Sequence, residues 1–200
     1  MDKLLPFDEL NTLRTTVTNI FEAGEGERKV YTAYIEDTLL DILVMSYVYG
    51  NEAANDMLGT EDEVEPSELR KSLGKKIAGE DWVERVSKYM EAGTVEDVMK
   101  VAETDAHRIY NEAIYNVAKR EERKAETESL TSGKPVRQMY KTWQTMRDEK
   151  VRDTHAYLEN MKIPFDERFF TYDGDSADHP GGFFTAENNV GCRCRLKLSW

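Results

Sequence analysis

Only two cysteines, Cys192 and Cys194, occur in the 200 residues. That is too few for a disulfide framework. Residues i and i+2 of an extended strand stand about 7 Å apart, beyond the reach of a disulfide without distortion. Reduced thiols, and with them a cytosolic setting, follow from that. Five prolines and twelve glycines are too few for a low-complexity chain. Long apolar runs are missing as well. The most apolar stretch, 38–49, is interrupted by Asp41 and is too short to cross a bilayer. Residues 1–11 carry acids and no apolar run of the kind a secretory signal needs. No membrane role is expected.

A cationic excess is lacking too. The formal net charge is −12, and Asp and Glu outnumber Lys and Arg by fifteen to four within residues 1–65. Beyond residue 65 the two signs nearly balance, 24 acids against 23 bases. Non-specific DNA binding needs clustered cations to neutralise phosphates. Global charge of that kind is absent, which leaves only a local basic patch in the C-terminal half. The acidic N-terminal third suits either solubility or docking on a basic partner surface.

What is present is helical periodicity over the first two-thirds. Leu10, Leu13, Val17, Ile20 and Phe21 recur at helical spacing, and Gly24 and Gly26 are expected to break that segment. A second helix is predicted over 28–58, with Val30, Tyr34, Leu39, Ile42, Leu43, Val44, Tyr47 and Val48 among its apolar positions. Its middle is apolar almost all round, which predicts burial between other helices. Gly59 is placed to cap it. A short helix is expected over 66–77, and another from Asp81, as N-cap, to Ala92. Thr94 and Asp97 have capping-box spacing and open a long helix. Its inner face carries Val98, Val101, Ala102, Ile109, Ala113, Ile114 and Val117, and it runs out in the charged stretch 119–128. The character changes at Thr131-Ser132-Gly133-Lys134-Pro135. Short β-prone or extended segments follow at 136–145 and 163–172. A helix is predicted over 148–160, and an alternating strand over 193–200. The predicted class is α+β. It comprises a helical region over 1–93, a long connecting helix over 94–130, and a small α+β domain with a short antiparallel sheet over 131–200.

Within a helix spanning 148–160, Asp148, Arg152 and His155 share one face, and Asp148 stands four residues before Arg152, a pairing distance. The plain reading is a polar clamp in which Arg152 and His155 hydrogen-bond the closing strand. The alternative is a tetrahedral zinc centre from His155, Cys192 and Cys194, with His179 or Asp153 as fourth ligand. Against it, zinc sites more often use Cys-x₂₋₄-Cys spacing, and buried thiols commonly serve as small hydrophobes. Aromatic residues are dense for so short a domain, and most are expected in its core. Phe183 and Phe184 flank a glycine-rich loop. One is assigned to the core and the other to a partner contact. Arg193, Arg195 and Lys197 line one face of the last strand. They form either a solvated surface or a contact to DNA or to an acidic protein. No glycine-rich phosphate loop, His-Glu-x-x-His motif or serine nucleophile elbow occurs. Catalysis is not expected, and the Asp148/His155 face is the one acid–base alternative.

The C-terminal third also resembles the phage Mu F-like head-morphogenesis family. Thr142-Trp143-Gln144-Thr145 is followed by Asp148-Glu149-Lys150-Val151-Arg152-Asp153-Thr154-His155, then Leu158 and Phe165-Asp166-Glu167-Arg168-Phe169. The loop His179-Pro180-Gly181-Gly182 comes next. Ala186-Glu187-Asn188-Asn189 and the closing Gly191-Cys192-Arg193-Cys194-Arg195-Leu196 complete the set. Upstream, Ala102-Glu103-Thr104, Arg108, Asn111 and Ala113 are similar to the helix that precedes the family's domain. Gly191 stands where the family usually has Asn. The resemblance covers roughly 100–200 and is carried by the order of these elements rather than by any one of them. It implies a minor capsid protein of a tailed bacteriophage, assembled in the host cytoplasm and carried in the virion at the inner head or portal vertex. Its implied partners are the portal or major capsid protein, and packaged DNA if it serves in packaging or ejection. It implies no cofactor. Trp143, Asp148, Val151, Arg152, His155, Cys192 and Cys194 would be its structural motif residues. From the apolar N-terminal helices an oligomeric or partner-bound state is expected.

Overall fold

The computed structural model describes residues 5–133 and 135–200. Residues 1–4, and Lys134 of the predicted junction, lie outside the described residues. Five helices come first: α1 (Phe7–Ala23), α2 (Glu25–Leu58), α3 (Pro66–Leu73), α4 (Trp82–Ala92) and α5 (Val95–Ser132). The remainder alternates short elements: β1 (Tyr140–Gln144), α6 (Asp153–Ala156), β2 (Lys162–Pro164), β3 (Phe169–Phe170), β4 (Ser176–Ala177), α7 (Ala186–Asn189) and β5 (Arg195–Ser199). This is the α+β class the sequence predicts. No described helix is long and apolar enough to cross a membrane.

Local sequence explains most helix ends. Gly24 separates α1 from α2 at φ +109°, a conformation an L-residue rarely adopts, whereas Gly26 lies inside α2 and breaks nothing. Asp81 and Glu84 form a complete capping box at α4, and Thr94 and Asp97 form another at α5. Helix α3 is shorter than periodicity predicts. It ends at Leu73, and Ile77 instead exchanges backbone hydrogen bonds with Glu80 across a tight turn. Helix α5 is longer than expected. Its charged stretch continues as solvated helix to a left-handed Gly133.

Helices α2 and α5 form the main packing axis. Gly50 permits their close approach, because a Cβ there would stand 2.3 Å from the Tyr110 carbonyl oxygen and 2.8 Å from Ala113 Cβ. Leu39, Ile42, Leu43 and Tyr47 of α2 are buried as predicted, while Val30 and Tyr34, on its first turns, are exposed. The hydrophobic core runs without a break from the N-terminal helices into the strand region.

The main sheet is antiparallel in the order β2-β1-β5, with Trp143 opposite Leu196 and Lys141 opposite Leu198. Residues 141 and 143 point to the same side of β1 and are buried there. Strands β3 and β4 form a separate hairpin.

The predicted helix over 148–160 is not one helix. The Asp148 carboxylate accepts from the Lys150 N–H at 3.1 Å, and Val151 N–H donates to the Asp148 carbonyl, so the chain turns there. Such a side-chain bond competes with helix formation. Arg152 is extended (φ −65°, ψ 149°), and helix begins only at Asp153. Asp148 and His155 therefore do not share a helical face.

Candidate functional site

The closing strand β5 is held by side chains from the long helix α5. The Asn111 side chain acts as a strand partner, accepting from Leu196 N–H at 2.8 Å and donating to the Cys194 carbonyl at 2.9 Å. Two turns earlier on α5, Thr104 Oγ1 accepts from Gly191 N–H at 2.9 Å. These two residues fix the 191–196 segment against α5. Helix α6 docks from the other side. Arg152 donates to the Val190 carbonyl, and His155 Nδ1 faces the Cys194 sulfur at 3.5 Å.

Trp143 is fully buried at the centre of this junction. Its ring meets His155, Phe169 and Phe183 at centroid distances of 5.6, 5.2 and 5.4 Å. Phe183 also stacks on His155 at 5.3 Å, which fixes the imidazole plane. Ligand atoms of His155, Cys192 and Cys194 lie within 4.8 Å of one another, and all three residues are buried. Hydrogen bonding from Cys194, with help from His155, holds the Cys192 thiol well below the usual range. The neighbouring Cys192 sulfur, together with burial, pushes Cys194 up. His179 and Asp153 do not join this group. His179 packs instead on Tyr115, with Nδ1 3.0 Å from the Pro180 carbonyl. Burial pushes its imidazole down to about 4, against the opposing pull of Glu112.

Asp148 does not pair with Arg152. It receives two hydrogen bonds from Arg193, both 2.7 Å, which hold its carboxyl below the ordinary range. Of the three cations expected along the last strand, Arg193 is thereby engaged, Arg195 is half-buried and Lys197 is exposed. Phe183 is buried and Phe184 is 79% exposed, with Arg168 over its ring at 4.8 Å.

A family model described as Phage Mu protein F like protein matches residues 66–197. The chain belongs to this family of phage head proteins. No curated protein and no solved structure matches it.

The Mu F-like match begins at α3, well before the segment that carries the resemblance in the sequence, and the helices it takes in hold a buried ionic network. Asp105 of α5 is fully buried and accepts from Arg85 of α4 at 2.6 Å and from Arg108 at 3.0 and 3.2 Å. Arg108 also reaches the Ser72 carbonyl and Glu112, and Lys75 pairs with Glu112 at 2.6 Å. Charges paired this way in a core are costly to break singly. Sequence reasoning missed this network. Its trace is the i, i+3, i+7 spacing of Asp105, Arg108 and Glu112 beside the apolar face of α5. His107, on the same helix, is driven down to about 3 by burial and by Arg195 and Arg193, so it is neutral.

A second feature missed in the sequence is Lys141. It is fully buried, and its ammonium has no hydrogen-bond partner among the described residues. It lies 5.3 Å from the ring centroids of Tyr115 and Phe165 and 5.5 Å from that of Phe169. Burial pushes its pKa down to about 8.

Beside Phe184, the Asp175 carboxylate gathers five hydrogen bonds. Their donors are the backbone N–H groups of Ser176, Phe184 and Thr185, the Thr185 hydroxyl and the Asn188 amide. Burial alone would raise this carboxyl, but the donors outweigh it and hold the group at about 2.

Proposed function

We propose that this protein is a minor head component of a tailed bacteriophage that binds portal or capsid protein during head morphogenesis. Family membership supplies the head context. The observation that carries the binding reading is Phe184, a large aromatic side chain left exposed on a loop that Asp175 holds in one conformation. Rigid exposed aromatics bind at little entropic cost and are favoured as interface anchors. Phe170, Tyr172 and Tyr157 are exposed on the same strand-bearing region, and Tyr157 and Tyr172 touch edge to face at 6.0 Å.

We take the junction as structural rather than catalytic. Asp148 is tied to Arg193, and His107 and His179 are held neutral by burial. The reading therefore places the protein in the virion, at the inner head or portal vertex, as a binding partner rather than an enzyme. The exposed Val30, Tyr31 and Tyr34 of α2 offer a second apolar surface, consistent with a partner-bound or oligomeric state. Contact with packaged DNA is the weaker reading, since Lys197 is the exposed member of the expected cationic row.

The test is capture of the portal and major capsid proteins of the same phage by the purified chain, alongside a Phe184→Ala variant. Capture by the wild type and at least tenfold weaker capture by the variant, at unchanged melting temperature, is the expected result. Absence of binding to either protein, together with absence of the chain from purified virions, overturns the proposal.

A further inference from the structure

We infer that His155, Cys192 and Cys194 form a zinc site that clamps α6 to the closing strand. The inference stands apart from the head-assembly reading, since it rests only on the geometry and chemistry of three side chains. Their ligand atoms lie within 4.8 Å of one another. The contact between Cys194 Sγ and His155 Nδ1 is 3.5 Å. A tetrahedral zinc with usual Zn–S and Zn–N bonds places sulfur and nitrogen about 3.5 Å apart and two sulfurs about 3.8 Å apart. The Cys194–His155 edge therefore already has the length of one edge of a zinc tetrahedron, and the edges to Cys192 are no longer than 4.8 Å, close enough for small side-chain shifts to close them on an ion.

Charge points the same way. All three residues are buried, and a buried site tolerates little net charge. Two thiolates and one neutral imidazole bring a divalent ion to zero. The donor set of two sulfurs and one aromatic nitrogen favours zinc over magnesium, calcium or manganese. The imidazole is not committed elsewhere. Nδ1 faces Cys194, Nε2 has no hydrogen-bond partner, and the Phe183 and Trp143 rings fix its plane. For the fourth corner, a cavity of about 10 Å³ borders all three residues, room for one water-sized ligand. The backbone between the thiols is also prepared, because Asn111 and Thr104 hold both ends of the 191–196 segment whether or not an ion is bound.

The consequence is a metal-bonded tie added to the Arg152–Val190 and Thr154–Asn188 hydrogen bonds, the Asp148–Arg193 pair and the ring packing that already join the 148–156 and 188–194 segments. The test uses the full chain, prepared reduced and metal-free and then titrated with cobalt(II) as an optical stand-in for zinc. The expected result is one equivalent bound, thiolate-to-cobalt charge-transfer absorption with the strong visible bands of tetrahedral cobalt, and displacement by one equivalent of zinc. Zinc should also raise the melting temperature, and a chelator should reverse the rise. Cys192→Ser, Cys194→Ser and His155→Gln should each weaken cobalt binding by about tenfold or more. Circular dichroism of each variant separates lost ligation from lost folding. The inference is overturned if the folded wild-type chain takes up less than a tenth of an equivalent, or if bound cobalt lacks the charge-transfer bands. It is equally overturned if zinc leaves the melting temperature unmoved.

Discussion

Replacing Lys141 by Met tests how the core tolerates an unpartnered ammonium. Shifting the titration of this group from 10.5 to about 8 corresponds to roughly 3 kcal/mol against the charged form. Three aromatic faces within 5.5 Å work in the opposite direction, and desolvated cation–π contacts are worth up to about 2 kcal/mol. The net cost of the charge at pH 7 is then about 1–2 kcal/mol. Methionine keeps the unbranched stem and gains sulfur–aromatic contacts of about 0.5 kcal/mol. Lys141→Met should accordingly be more stable than wild type by about 1–2 kcal/mol at pH 7. Because the folded pKa lies below the unfolded one, the penalty is present in full below about pH 8. It is relieved as pH rises from about 8 towards 10.5. The wild type should therefore catch up with the variant across that window. Urea unfolding of both proteins at pH 7 and pH 9.5 measures the two differences. A variant less stable than wild type at pH 7, or a difference that does not change with pH, would refute the reasoning.

Other perturbations follow from the same geometry. Asn111→Ala strands the Leu196 N–H and the Cys194 carbonyl, and should cost about 2–4 kcal/mol in chemical denaturation. Gly50→Val drives a side chain into the Tyr110 carbonyl, and should lower stability by about 3 kcal/mol or more, visible as a fall in melting temperature. Asp175 has its folded pKa at about 2, below its ordinary 3.8, so its contribution to stability is present above pH 4 and lost as pH falls through 2. An Asp175→Asn variant should show a flatter decline in stability between pH 4 and pH 2 than the wild type does.

The helical half of the fold was legible because its signals are local. Apolar residues recurred at 10, 13, 17 and 20, an N-cap at Asp81 marked α4, and a capping box at Thr94 and Asp97 marked α5. The strand-bearing half was legible in outline, since β5 alternates and β1 is β-prone. The 148–160 segment misled because its helical spacing is overridden by an Asp148 side chain that bonds its own backbone and then Arg193, 45 residues away. No local pattern carries such a partner. Lys141 and the Arg85–Asp105–Arg108 network were invisible for a related reason. Their environment comes from rings and carboxylates brought in by other elements. The His155, Cys192 and Cys194 group was legible as residue types, but His179 could be excluded only once its place beside Tyr115 was known.

Strand β1 sits between β2, which follows it closely, and β5, which is separated from it by most of the second half of the fold. During synthesis the five helices and the β1–β2 pair can assemble while one flank of Trp143 and the Asn111 side-chain oxygen still await their partners, the Asn111 amide nitrogen already donating to the His107 carbonyl within α5. Arrival of residues 191–199 closes that flank in a single step, because the same few residues complete the sheet, satisfy the helix and cover the indole. Folding of this molecule thus has a built-in terminal event of long sequence separation. A chain cut short before residue 191 would display, at that flank, the unpaired strand edge that chaperones and proteases recognise.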